Sequence, residues 1–518
     1  MRVEGTTTGR RGALVPILVL AAYGLLLVAW SIGNPPFAGP DESAHYERAI
    51  GVGQGQLIGP KASIPIPAIA PSDVARMDQW VADATRTVRV KGRLLLPDPA
   101  CNAQQSTKSA ACLLGQSPIP DPSLVLTPVG NYQPEAYLLP GWLLLRADNP
   151  STADQLGRLA GALICLILLA VAVTLLWTGD VVSLLGTLVA VTPMVVFVNA
   201  QINPSGLEIA SSVTFLSAML VLSRAGQPAR WVWWAAAASG AVLVLSRSLG
   251  PVWLVIGVGV LLGLLGLNGA ANLFRQNRIP AAICVLALVG AVVANRIWEG
   301  AYGSHLRLTA SGLRHQLGPA LHQLPNLLRQ EIGDFGSLDS PLALPFVAGW
   351  LLLTLGLVGV ALYVGSRRER LVMAIATILS PVIAVLFYAA FYAGSGFAAQ
   401  GRHLLPAGVL VPLLAGEIVL RNRQRLSQHA LRRTAIGVPL FVGCVQAAAW
   451  YGNARRQAVG VHGPLWFIPH ADWQPPLGWW TWTAVVLAAA ALFAVLSGQL
   501  VMSLRSKRSQ AIAKNTAA

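Results

Sequence analysis

Charged residues are scarce in this sequence. Asp, Glu, Lys and Arg together make up 11% of 518 residues, whereas soluble proteins usually contain about 25%. Hydrophobic residues make up 54%, and because lipid penalises charge, this composition predicts an integral membrane protein. The net charge of +16 does not predict nucleic-acid binding, since the basic residues form short clusters between apolar runs.

Several common motifs are also lacking. The sequence has no glycine-rich phosphate loop, no CxxC pair and no HExxH. It therefore lacks the usual signatures of P-loop nucleotide binding, thiol redox chemistry and zinc peptidases. No internal repeat is visible, although transporters commonly contain one.

Apolar runs separated by short polar breaks occupy most of the chain. The first run, 13–31, has 19 residues, enough to cross ~30 Å of hydrocarbon. No small-residue cleavage site follows it, so we predict a retained signal anchor. We predict an all-α integral membrane protein with about 12 transmembrane helices. The predicted spans are 13–31, 155–177, 181–199, 205–223, 231–246, 250–268, 280–297, 342–365, 371–393, 403–420, 434–450 and 477–503.

The distribution of arginine predicts the orientation. With a cytoplasmic N-terminus, the cytoplasmic breaks carry arginine clusters, while the opposite short breaks carry only single arginines, Arg247 and Arg402. Both termini are therefore predicted to be cytoplasmic. The predicted segments are 1–31 (N-terminus and first helix), 32–153 (large extracytoplasmic loop), 154–297 (helices 2–7), 298–341 (second extracytoplasmic loop), 342–503 (helices 8–12) and 504–518 (basic cytoplasmic tail).

Two of the five cysteines lie in the large extracytoplasmic loop. Cys101 and Cys112 have ten residues between them and face a compartment predicted to be oxidising. We predict that they form a disulfide, with two unpaired thiols as the alternative. The other three cysteines lie in apolar runs, where small buried residues are expected.

Ionisable residues crowd the stretch directly after the first span, "GPDESAHYERA". Residues 41–52 are predicted to form a helix, with Asp41 and Glu42 at the positive end of its dipole. On that helix Asp41, His45 and Arg48 share one face. The predicted topology places this group just outside the membrane, where water can reach it. A simpler explanation is a capping or solvated carboxylate.

Other polar residues lie at the same predicted face of the membrane. They are Asn203, Glu208, Arg247, Glu299, Asp334, Asp339, Arg402 and His403. Asn203 before Pro204 is a natural helix N-cap, and interfacial arginines commonly reach lipid headgroups. Arg247 and Arg402 nevertheless run against the positive-inside bias, which favours an anionic partner for them.

Six stretches together resemble a known family. They are "GPDESAHYERA", "NYQPEAYLLPGWLL", "TPMVVFVNAQINPSGLEIA", "SRSLGPVWL", "FGSLDSPL" and "QGRHLLP". Over roughly 13–450 the chain resembles the bacterial membrane proteins of domain-of-unknown-function family twenty-one forty-two, grouped with GT-C-type glycosyltransferases. It departs from the family pattern at Ser205, where Asp is usual, and at His403, where Tyr is usual. The first departure removes a carboxylate.

The resemblance implies a GT-C-like fold and a sugar transferase in the bacterial cytoplasmic membrane. Such enzymes pass a sugar from a polyprenyl-phosphate donor to a cell-wall or membrane glycan acceptor on the outer face. Their usual catalytic acid follows the first helix, which here matches Asp41. The residues predicted as catalytic are Asp41, Glu42 and His45. Those predicted to bind substrate or phosphate are Arg247, Arg402, His403, Asn203 and Asp339. Some GT-C enzymes use a divalent metal ion, for which Asp41 and Glu42 would be the ligands.

The chemistry fits these residue types. A carboxylate can accept the proton of a sugar hydroxyl as the hydroxyl attacks. A phosphate leaving group needs a fixed cation, and the planar guanidinium of arginine matches its oxygens. One alternative is a lipid or glycan transporter, which would place polar groups near the bilayer midplane. Another is a non-enzymatic scaffold, in which Asp41, Arg247 and Arg402 would lie far apart.

Overall fold

The computed structural model describes residues 7–64, 72–120, 123–224, 226–304, 306 and 308–516. The outermost residues of the predicted terminal segments therefore lie outside the described part. The helices are α1 (Thr7–Ile32), α2 (Glu42–Gly53), α3 (Ser72–Ala84), α4 (Leu138–Leu144), α5 (Pro150–Leu176), α6 (Leu185–Ala190), α7 (Pro193–Asn199), α8 (Pro204–Leu222), α9 (Arg230–Ser246), α10 (Gly250–Gln276), α11 (Arg278–Tyr302), α12 (Ala310–Gly333), α13 (Leu344–Val364), α14 (Arg367–Ser395), α15 (Leu405–Gly408), α16 (Leu410–Arg421), α17 (Gln428–Val459) and α18 (Gly478–Thr516).

Strands play a minor part in this fold. Two short antiparallel pairs occur among the described residues. The strands are β1 (Arg86–Val90), β2 (Ser123–Thr127), β3 (Asp334–Phe335) and β4 (Ser340–Pro341). The prediction of an all-α integral membrane protein is therefore confirmed.

Nine helices of the described chain are long and apolar enough to cross a membrane. They are α1, α5, α8, α10, α11, α13, α14, α17 and α18. The other three predicted spans are helical but shorter or interrupted. Span 181–199 is divided between α6 and α7 because Pro193 begins a new helix, capped by the Thr192 hydroxyl, which accepts from the Val195 amide. The number of spans thus stays a prediction.

The described residues between α1 and α5 pack around a separate hydrophobic cluster. We call them the loop domain, and we call the end of the helical bundle that they contact the loop side. The hydrophobic core of this domain includes Tyr46 and Ile50 of α2, Phe37 before it, and Val88 of β1. Cys101 and Cys112 are joined by a disulfide, with Cα atoms 6.1 Å apart. The disulfide closes a segment that contacts the end of α17, where the Val461 amide donates to the Ser106 carbonyl at 2.9 Å.

A fully buried ion pair fastens this domain to the bundle. Arg158 of α5 binds the Glu42 carboxylate side-on, with Nε–Oε1 at 2.8 Å and Nη2–Oε2 at 2.5 Å. Asp154, one turn earlier on α5, lies 3.0 Å from the Arg158 Nε. All three side chains have no exposed surface. Arg158 also donates to the Pro35 carbonyl at 2.9 Å, so the pair holds the backbone that leaves the first span.

Removing the cation from this cluster is predicted to be costly. Arg158→Met leaves Glu42 and Asp154 buried without their counter-ion, which should lower the free energy of unfolding by about 3–5 kcal/mol. Denaturant unfolding of the purified protein in detergent measures the change. The control is Lys61→Met, which removes the largely exposed Lys61–Asp83 pair and should cost less than about 1 kcal/mol. Equal losses in the two variants would contradict the role given to Arg158.

Candidate functional site

Asp41 stands directly before α2 in an unusual backbone conformation. Its φ is 57° and its ψ is 16°, in the left-handed region, where non-glycine residues are uncommon and cost of order 1–3 kcal/mol. The Asp41 side chain does not cap the helix, and 56% of it is exposed. The predicted helix 41–52 is thus found one residue later, with the Asp41 carboxylate outside it and accessible.

Arg402 holds this carboxylate from a distant part of the chain. Its Nη2 bonds Asp41 Oδ2, and its Nη1 donates to the Pro40 carbonyl at 2.8 Å. The Arg402 side chain is only 3% exposed and belongs to a 3₁₀ turn, Gly401–His403. Asn203 donates to the same Pro40 carbonyl at 3.2 Å. The strained backbone at Asp41 is therefore held by two side chains from elsewhere in the fold.

Asn203 has a second contact, as the cap of α8. Its Oδ1 accepts from the Ser205 amide at 2.9 Å. The capping explanation and a contact with the candidate site thus apply to the same residue. Asn203 therefore fixes the Pro40 carbonyl relative to the start of α8. Because Asp41 follows Pro40, this contact also fixes the position of Asp41.

Arg247 follows α9 and lies on the same side of the bundle. Its Nη1 donates to Ser205 Oγ at 2.6 Å, and its guanidinium carbon lies 5.4 Å from the centre of the Tyr132 ring. Arg247 is near enough to Asp41 for its charge to favour the ionised carboxylate. The Tyr132 backbone is held in turn by Arg48, whose Nη2 donates to the Tyr132 carbonyl at 2.7 Å.

The electrostatics of the site keep Asp41 ionised. Partial burial alone would raise the pKa of Asp41, but the charges of Arg402 and Arg247 and the hydrogen bond from Arg402 outweigh it. The pKa of Asp41 is therefore below its usual value. A carboxylate of this kind is charged at neutral pH, and it is a weaker base while Arg402 remains bound to it.

His45 lies one turn into α2 behind Asp41. It is 3% exposed, and its Nδ1 lies 2.8 Å from the Tyr137 hydroxyl. Burial lowers the pKa of His45 to about 3. The Asp41 carboxylate acts to raise this pKa, whereas the positive charges of Arg402 and Arg247 act to lower it. A neutral imidazole is expected across the physiological range. His45 therefore supports the site without carrying charge.

The structure places two of the predicted residues in other contacts. Glu42 was predicted to be catalytic, yet its oxygens bind Arg158 and accept from the amides of Gly39 at 2.8 Å and Ile202 at 3.0 Å. It thus acts as an anchor, because no exposed oxygen remains. Asp339, predicted to bind substrate or phosphate, instead pairs with Arg456.

The Asp339–Arg456 pair belongs to a second buried network. Arg456 of α17 also donates to the Asn102 carbonyl at 2.6 Å, and the Asn102 amide donates to Gln457 Oε1 at 2.9 Å. Asn102 adjoins the Cys101–Cys112 disulfide. This network therefore joins the disulfide segment, α17 and the β3–β4 hairpin.

His403 lies beside the candidate site and is half-buried. Its ring packs edge-on against two aromatic rings of α14, Phe387 and Phe391, at centroid distances of 6.3 and 6.2 Å. Its Nδ1 accepts weakly from the Gln400 amide at 3.4 Å. These contacts fix the turn that carries Arg402.

The residues around Asp41 do not fit the predicted divalent metal site. The Glu42 oxygens already have four protein donors, and the Asp41 carboxylate faces a guanidinium. Within the described residues no group of three His, Cys, Asp or Glu side chains is arranged to hold a metal ion.

Sequence reasoning missed several residues of this region. Tyr132 and Tyr137 stand within "NYQPEAYLLPGWLL" but were given no role, since aromatic residues are common in loops near membranes. Arg158 did carry a signal: an arginine inside a predicted span is costly unless it is paired. Asp154 one turn earlier would have suggested a partner, whereas Glu42 lies 116 residues away.

The fold and this site define a multi-pass helical membrane protein with a carboxylate and two arginines on its loop side. The chain belongs to the family described as "Predicted membrane protein (DUF2142)", whose profile matches residues 25–411, which confirms the family resemblance. No curated protein matches the sequence. Two solved structures share partial similarity, both of ArnT from Cupriavidus metallidurans. In the apo state the identity is 14%, the TM-score 0.45, and the coverage 94% of this chain and 76% of that chain. For the structure bound to undecaprenyl phosphate, the identity is 16%, the TM-score 0.44, and the coverage 96% of this chain and 77% of that chain.

The buried His45 predicts a specific pH dependence of stability. Its pKa is about 3 in the folded protein and ~6.5 when unfolded, so between these values the unfolded chain binds the extra proton. Stability should rise with pH across this window, with His45 contributing up to about 1.4 kcal/mol per pH unit. Unfolding of His45→Gln, measured in detergent between pH 4.5 and 6.5, should lose that contribution. Tyr137→Phe keeps His45 buried and should retain it; an unchanged slope in His45→Gln would refute the assignment.

Proposed function

We propose that this protein is a membrane glycosyltransferase. It would move a sugar from a polyprenyl-phosphate donor to a cell-envelope glycan or lipid acceptor on the outer face of the bacterial cytoplasmic membrane. The proposal rests on the exposed Asp41 carboxylate. The buried Arg402 binds this carboxylate, and Arg247 is close enough for its positive charge to stabilise the ionised form. Base and phosphate-binding groups thus meet at one end of a membrane bundle.

The reaction uses Asp41 and the two arginines in different steps. The acceptor hydroxyl oxygen attacks the anomeric carbon of the donor sugar, and the bond between that carbon and the phosphate oxygen breaks. Asp41 accepts the hydroxyl proton. The polyprenyl phosphate leaves with its electron pair, and Arg247 and Arg402 stabilise the charge that develops on its oxygens.

The Asp41–Arg402 pair supports a link between donor binding and base strength. Arg402 lowers the pKa of Asp41 through its charge and hydrogen bond, which weakens Asp41 as a base. The Arg402 Nε is buried without a hydrogen-bond partner among the described residues. A donor phosphate that takes over the guanidinium of Arg402 would therefore raise the pKa of Asp41 when the acceptor needs it.

The transporter alternative receives no comparable support. It requires polar groups along a path through the membrane. A cavity of about 320 Å³ in the described bundle is lined by apolar residues with the single exception of Thr434. Sugar hydroxyls would find few hydrogen-bond partners there.

Asp41→Asn should abolish transfer while the protein still folds. Amide replacement removes the proton acceptor, which is typically worth ~10²–10⁴-fold in rate. The measurement is the envelope glycan composition of a deletion strain complemented with each variant at matched membrane levels. Asp98→Asn is the control, since Asp98 is an exposed carboxylate of the loop domain without contact to the site. Normal glycans in the Asp41→Asn strain would exclude Asp41 as the base.

Arg247→Gln should weaken donor binding more than it affects folding. The substitution keeps a hydrogen-bond donor near Ser205 but removes the charge, and charged hydrogen bonds contribute about 1.5–3 kcal/mol. Binding of decaprenyl phosphate to the purified protein should therefore weaken about 10- to 100-fold, as measured by native mass spectrometry. Arg296→Gln serves as the control because Arg296 is exposed on α11. Equal affinity for wild type and Arg247→Gln would remove Arg247 from the site.

A further inference from the structure

A groove opens between α13 and α17 on the side of the bundle opposite the candidate site. The two helices touch near the middle, where the Trp350 and Phe441 rings lie 6.0 Å apart. A Cβ atom at Gly349 would come within 2.9 Å of the Phe441 ring. Beyond this contact, residues of both helices line a cavity of about 320 Å³. We call it the far-side groove.

The far-side groove is apolar along its length. Its lining includes Leu185 and Val189 of α6, Leu352 and Val360 of α13, and Ala430 and Val438 of α17, and Thr434 is its single polar residue. The residues from α6 are buried, at 2% exposure or less, and form the floor. Leu352 is 69% exposed, so the groove is open towards the surrounding lipid.

The length of the groove matches one lipid leaflet. Its lining on α17 extends from Ala430 to Val438 and on α13 from Leu352 to Val360. Each wall covers eight helical steps, or ~12 Å at 1.5 Å per residue. One leaflet contributes about 15 Å of hydrocarbon. The groove therefore covers most of the depth of one leaflet and can hold the greater part of one extended acyl chain.

Positive charge collects at the end of the groove that faces the membrane surface. Arg425 adjoins the lining residue Leu426 and is exposed. Its Nη1 donates to the Val364 carbonyl at the end of α13, at 2.6 Å. The Arg425 Nε and Nη2 groups have no acceptor within the described chain. Arg433, one turn after Ala430, is also exposed.

The carboxylates at this end already have other partners. Asp180 pairs with Arg423. Glu369 accepts from the Ser366 amide at 2.8 Å and from the Asn422 side chain at 2.9 Å. Glu417 binds Arg224 at 2.7 Å and Arg421 at 2.9 Å. The charge of Arg425 is therefore not compensated by these side chains. An apolar groove that ends in an uncompensated guanidinium complements an anionic headgroup with an attached hydrocarbon chain.

We infer that the far-side groove binds one acyl chain of an anionic phospholipid, with the headgroup phosphate against Arg425. The site is separate from Asp41 and Arg402 and does not depend on the proposed transferase reaction. A polyprenyl phosphate is the less suitable occupant because the basic end of the groove lies away from the loop side, where the proposed donor phosphate is bound.

The test compares two glycine variants of α13 in the full-length protein. Gly356 lines the groove, whereas Gly359 does not, and a Cβ atom added at either position would meet no neighbour within 4 Å. Gly356→Phe should therefore fill the groove without disturbing packing, and Gly359→Phe is its matched control. Native mass spectrometry of detergent-purified protein with added phosphatidylglycerol should show at least tenfold less bound lipid for Gly356→Phe only.

The headgroup contact is tested with Arg425→Gln. Wild type should retain phosphatidylglycerol in preference to phosphatidylcholine, and Arg425→Gln should lose that preference. Equal retention of both lipids by wild type would overturn the anionic headgroup. Equal lipid loss in the two glycine variants, or no loss in either, would overturn the groove as the site. Loss of decaprenyl phosphate binding in Gly356→Phe alone would assign the groove to the polyprenyl chain instead.

Discussion

The buried ion pair between Glu42 and Arg158 is the constraint on which the position of the site depends. It joins the first segment after the first span to α5, and it also holds the Pro35 carbonyl. Two ions this deeply buried are tolerated only when their hydrogen bonds are satisfied. The Glu42 oxygens meet that condition with four donors. The neighbouring residue, Asp41, is consequently presented in a fixed place relative to the bundle.

Asp41 and Glu42 show how adjacent carboxylates acquire different roles. The left-handed backbone at Asp41 leaves its side chain 56% exposed, while the Glu42 side chain has no exposed surface. Arg402 and Asn203 both bind the Pro40 carbonyl and so stabilise this conformation. The same guanidinium that orients Asp41 also lowers the pKa of its carboxyl. Orientation and base strength therefore oppose each other until another anion engages Arg402.

Much of the fold could be predicted from the sequence, because hydrophobic runs and arginine clusters are local properties. The helix after Asp41 and the proximity of Cys101 to Cys112 were also within reach. The family resemblance matched the catalytic acid to Asp41, but the sequence could not reveal that Glu42 is a buried anchor, because its partner Arg158 lies 116 residues away. The sequence could not place Asp339 either. Its partner Arg456 lies 117 residues away, and the two side chains come into contact only in the folded bundle.

The central claim is that the guanidinium groups on the loop side bind the phosphate of a polyprenyl carrier beside Asp41. A structure of the full-length protein with decaprenyl phosphate in lipid nanodiscs tests it most directly. The account predicts phosphate oxygens within about 3 Å of Arg402 and Arg247 nitrogens, with the Asp41 carboxylate released from Arg402. A phosphate bound elsewhere, with the Asp41–Arg402 pair intact, would contradict it.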